Sequence, residues 1–162
     1  MSFRKDEVVV KSADDWGVEN DKKAKANPAS GRVDLTFWVD QPDTEPGVEI
    51  QLRKLFCLVD EFNFVLVAEG EGDDAGTMVR FSGDPVEAGK TYDLGGGLTD
   101  MSARFERSGV ATYPRTEAKG TLTIRAIDSE SVSGSFRFSF SNSGVEDIRS
   151  IDVYSKNFVI KY

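Results

Sequence analysis

Residues 120–141, GTLTIRAIDSESVSGSFRFSFS, contain two runs in which every second side chain is apolar, one on each side of a polar turn. Residues two apart share a face of a strand, so Leu122, Ile124 and Ala126 form one inward set and Phe136, Phe138 and Phe140 another. Asp128, Ser129, Glu130 and Ser131 are turn formers, and the whole predicts a β-hairpin.

The same period of two runs through residues 32–40, where Val33, Leu35, Phe37 and Val39 oppose Asp34, Thr36, Trp38 and Asp40. Trp38 is the one large aromatic on the polar side. It is expected either to lie under the preceding loop or to belong to a ligand surface. Val48, Ile50 and Leu52 alternate, after which the phase slips to Leu55, Cys57 and Val59, which predicts a bulge or bend near Arg53 and Lys54. An amphipathic helix over residues 52–61 is the competing reading. Residues 62–69 are apolar on both faces, as in a central strand covered on both sides.

Shorter strands are expected at residues 8–10, 78–82, 91–94, 101–106, 110–113, 148–154 and 157–162. Residues 12–31, with Trp16 and Pro28, have no sustained period and form a long loop, in which residues 21–26 offer a weak helix. About ten strands and no convincing long helix make 162 residues a single all-β domain. An antiparallel β-sandwich is expected, with a small closed β-barrel as the alternative.

Charge narrows the partners. A formal charge of −8 and a pI near 4.6 disfavour nucleic acid and anionic membrane surfaces, both of which need clustered Lys and Arg. No run approaches the ~18 apolar residues of a membrane helix. Residues 1–12 show no apolar core with a small-residue cleavage site, so the expected location is the cytoplasm if Met1 is the native start. Export, with a leader outside the sequence, is the alternative. Cys57 is the only cysteine and lies in an apolar run, an inert buried thiol.

Candidate chemistry is sparse. With no His, a Ser or Cys nucleophile lacks its usual base, and no G-x-S-x-G or S-x-x-K set is present. The segment FVLVAEGEGDDAG imitates a dinucleotide turn, but residues 77–82 that follow have the pattern of a strand where the pyrophosphate needs a helix N-terminus. Glu69, Glu71, Asp73 and Asp74 form an acidic turn, a weak candidate for an irregular cation site and without the spacing of a helix-loop-helix calcium loop. Gly95, Gly96 and Gly97 form a flexible loop whose backbone could approach a ligand. Any two of the 28 acidic residues could converge as a hydrolase pair. No cofactor is expected.

GTLTI at residues 120–124, Asp128, VSGSFRF at residues 132–138 and AGKTYDL at residues 88–94 resemble a group of uncharacterised bacterial β-domains, often found in exported lipoproteins. The resemblance covers about the C-terminal 60% of the chain; it implies an antiparallel sandwich and no catalytic residue. The expected function is a non-catalytic binding or interaction module for a protein or small ligand. A membrane-acting, toxin-like protein and a carboxylate-dependent hydrolase are the alternatives.

Overall fold

The computed structural model describes residues 27–40, 47–95, 101–112 and 118–162. They form ten strands: β1 (Asn27–Val39), β2 (Val48–Leu52), β3 (Lys54–Val59), β4 (Phe64–Glu69), β5 (Thr77–Gly83), β6 (Lys90–Leu94), β7 (Met101–Arg107), β8 (Lys119–Ile127), β9 (Ser131–Phe140) and β10 (Ile151–Lys161). The hydrogen-bonded order is β10, β9, β8, β6, β7, β5, β4, β3, β1, and β1 pairs again with β10. Nine strands therefore close a ring, while β2 continues the line of β3 along β1. The all-β expectation holds, and closure makes the architecture the barrel alternative in place of a two-sheet sandwich. Closure pairs each of the nine ring strands on both sides, while among the described residues β2 pairs with β1 alone and keeps one open edge.

Period two decides which side chains fill the ring. Val33, Leu35 and Phe37 of β1, Phe64 and Leu66 of β4, Val79 and Phe81 of β5, and Phe136, Phe138 and Phe140 of β9 all enter one core. Phe81 meets Phe136 and Phe138 edge-on at centroid separations of 4.9 and 6.0 Å, and Phe37 meets Phe105 at 5.5 Å. Tilted and edge-on pairs suit the ring quadrupoles. Phenylalanine thus occupies much of the barrel interior.

The predicted hairpin of β8 and β9 is present, its turn held by Asp128 Oδ1, which accepts the N–H groups of Glu130 and Ser131 at 2.7 and 2.9 Å. One inward residue differs. The register with β9 shifts between Ile124 and Ala126, so Ala126 is exposed and Ile127 packs on the core. A bulge moves every later side chain of its strand by one face.

The expected break at Arg53 separates β2 from β3, and residues 54–59 are strand where a helix was the alternative. The two expected last strands are one, β10, irregular between Ser155 and Phe158. Of the strand expected over residues 110–113, the described residues 110–112 show an isolated bridge from Ala111 to Arg107, and residue 113 lies outside the described residues. The long-loop expectation is corrected at its end, since residues 27–31 open β1 despite Pro28. Pro28 faces β3 alone, because pairing with β10 starts at Ser30, so its missing N–H removes no bond on that second side. The expected strand at residues 8–10 and the weak helix at 21–26 lie outside the described residues.

Candidate functional site: a polar groove beside a stacked bulge

Irregularities line up on one side of the barrel. The β8–β9 register shifts at Arg125, the β9–β10 register at Lys156 and Asn157, and the β1–β10 register at Asp34 and Leu35. Arg125 pins this line by donating to Gly134 O at 2.9 Å, to Lys156 O at 3.3 Å and to Asn157 Oδ1. Bulges of this kind bend strands and re-aim side chains, and they recur beside binding sites.

A groove of about 770 Å³ opens there, its lining including Asp34, Thr36, Glu49, Asp74, Tyr154 and Lys156. Cross-strand pairing sets Glu49, Thr36, Tyr154 and Arg137 in one row over β2, β1, β10 and β9. The Arg137 guanidinium carbon lies 5.9 Å from the centroid of the Tyr154 ring, and Tyr154 is 36% exposed. Arg32 Nε meets Asp34 Oδ2 at 2.9 Å. Asp34 Oδ1 is shielded from solvent and accepts no hydrogen bond among the described residues. Such an oxygen is costly unless a donor reaches it.

The groove offers carboxylate acceptors, an amide, a hydroxyl, an ammonium and an aromatic ring. It contains neither thiol nor imidazole. The thiol of Cys57 is inside the core, where burial pushes its pKa up to about 12. The expected burial of this thiol is what the structure shows.

Of the described residues singled out by sequence, Asp74 lines this groove and the others fall elsewhere. Trp38 is on the outer wall but only 9% exposed, and its indole lies against Gly47, where an added Cβ would come within 2.9 Å of Cε2. Gly95 has φ +80°, and an added Cβ would sit 1.8 Å from Ala118 O. The close neighbour of Gly95 is therefore its own chain. Gly96 and Gly97 lie outside the described residues. Glu69 faces Lys54 at 3.9 Å and Asp74 faces Arg107 at 3.3 Å, while Glu71 and Asp73 are exposed. Among the described residues no three metal-ligating side chains form a cluster.

Sequence reasoning missed Asp34, Tyr154 and Lys156. The signal was available for Tyr154, since an aromatic at an outward strand position is the same observation that drew attention to Trp38. Comparison of the chain with family models, with curated proteins and with solved structures finds no match.

Proposed function

We propose that the protein is a non-catalytic binding module whose ligand occupies the groove between β2, β1 and β10, and that the ligand is hydroxyl-rich, a saccharide being the chemical class of best fit. The observation that carries this reading is Asp34 Oδ1, an acceptor without a donor among the described residues, in the same groove as the exposed ring of Tyr154. Sugars present hydroxyl donors to carboxylates and amides, and C–H faces to aromatic rings. Glu49 and Gln51 extend the acceptor row, and Lys156 adds a donor.

The experiment is a screen of neutral oligosaccharides by calorimetry or glycan array, followed by Tyr154→Ala and Asp34→Asn. Each variant is expected to weaken binding at least tenfold, with the thermal midpoint of Tyr154→Ala held within about 2 °C, as for an exposed substitution. Binding unchanged in both variants, or no saccharide bound, overturns the reading.

A carboxylate-dependent hydrolase is the second reading, favoured by Asp34, Glu49 and Asp74 lining one groove. Turnover of chromogenic glycosides, abolished by Glu49→Gln, is its test.

A further inference from the structure

Closure of the ring gathers cations that the sequence keeps far apart. On the four neighbouring strands β1, β10, β9 and β8 the cationic side chains are Arg32, Lys119, Arg125, Arg137, Lys156 and Lys161, and the carboxylates are Asp34 and Asp152. In the chain as a whole carboxylates outnumber cations 28 to 20. All six cations are exposed. Arg32 is paired with Asp34, whereas Arg125 donates to neutral acceptors that leave its charge standing. Lys156 and Lys161 make no ion pair among the described residues. Acidic side chains resume at the borders of this wall, among them Glu49 on β2, Asp93 on β6, and Asp128 and Glu130 in the β8–β9 turn.

A second hollow of about 380 Å³ lies along the same wall, its lining including Arg32, Asp34, Asn157, Val159 and Lys161. It shares Asp34 with the groove of Tyr154 and Lys156, so the two form one track along β10. From Tyr154 to Lys161 that track runs about 20 Å, at about 3.3 Å per strand residue. Its character changes on the way. The Tyr154 end carries Glu49 and Asp74 as well as Asp34. The Lys161 end has two cations, the side chain of Val159 at 39% exposure, and Asp34 as its one carboxylate.

We infer that the ligand of the groove is an oligosaccharide bearing carboxylate groups, with hydroxyl-rich units over Tyr154 and Asp34 and an acidic unit in the second hollow between Arg32 and Lys161. This rests on the saccharide reading of the groove and names the substrate class within it. The carboxylates of such a chain accept charge-assisted hydrogen bonds from guanidinium and ammonium groups, while its hydroxyls donate to Asp34 Oδ1 and Glu49. A nucleic acid fits less well. Its backbone puts a phosphate on every unit, which the carboxylates of the groove and a net charge of −8 repel.

The test is calorimetric titration of the full chain with an oligogalacturonate and with its methyl ester, the same chain without charge. The acid form is expected to bind at least tenfold more tightly at low salt, the margin shrinking as salt is added. Lys161→Gln is expected to weaken binding of the acid at least threefold and to leave binding of the ester as it was, while Tyr154→Ala weakens both. Equal affinity for the two forms, or binding of the acid indifferent to Lys161→Gln, overturns the inference and leaves the groove reading standing. Binding of neither form overturns both. Acid binding that Tyr154→Ala leaves unchanged, or oligothymidylate bound as tightly as the oligogalacturonate, reduces the wall to a charged patch and also overturns the inference.

Discussion

Asp40 Oδ1 accepts the backbone N–H of Ser150 at 2.7 Å across 110 residues of chain, and that of Arg149 at 2.9 Å. The N–H of Asp40 in turn donates to Ser150 O at 3.0 Å. Asp40 follows β1 with φ +50°, a conformation that Asp and Asn adopt more readily than other L residues. One side chain thus ties the end of β1 to the start of β10 where the ring closes. Asp40→Ala is expected to lower stability by about 1–2 kcal/mol, the worth of a lost cap of this type. Asp40→Asn, which keeps an acceptor and the backbone preference, should cost about half as much. Urea midpoints at constant slope are the measurement.

Phe81 is fully buried and touches both Phe136 and Phe138, so it links β5 to the far wall of the barrel. Phe81→Ala should cost about 3–5 kcal/mol, and Phe81→Leu clearly less, because the cavity left is smaller. Calorimetric midpoints of the two variants give the comparison.

Gly95 and Gly89 share φ +80°, yet only Gly95 has a carbonyl where a Cβ would go. Gly89→Ala is expected to pay the backbone term alone, about 1 kcal/mol, and Gly95→Ala about 2–3 kcal/mol. The difference between the two denaturation curves isolates the clash with Ala118.

Alkali should weaken the fold. Burial pushes Cys57 up to about 12, and burial, then Cys57 and Asp128, push Tyr162 to about 12. The unfolded chain then releases these protons first, so it binds fewer than the native state. Stability is full below the ordinary thiol value of 9.0 and falls as pH rises towards 12. Denaturation midpoints between pH 8 and pH 11 should decline, and Cys57→Ala should flatten the decline.

The alternation of residues 33, 35 and 37 and of 136, 138 and 140 made the strands and their inward faces legible, because the period of a strand is local. Closure was not legible. It depends on Asp40 finding Ser150 and on β7 inserting between β5 and β6, neither of which leaves a mark on nearby residues. Ala126 was misplaced for the same reason, since a bulge is fixed by the partner strand. The apolar faces of Val65 and Val67 announced a strand covered on both sides. Asp34 reads in the sequence like any solvated strand residue, and the shielding of one of its oxygens shows only in the fold.

Among the described residues β6 and β7 are joined by one parallel residue pair, Leu94 with Met101, and by the bond from Gly95 N to Met101 O at 3.2 Å. Every other neighbour around the hoop is stitched antiparallel by three or more residue pairs. A hoop under thermal strain parts at its thinnest weld, so the staves on either side of Leu94 and Met101 are where the cask first gapes.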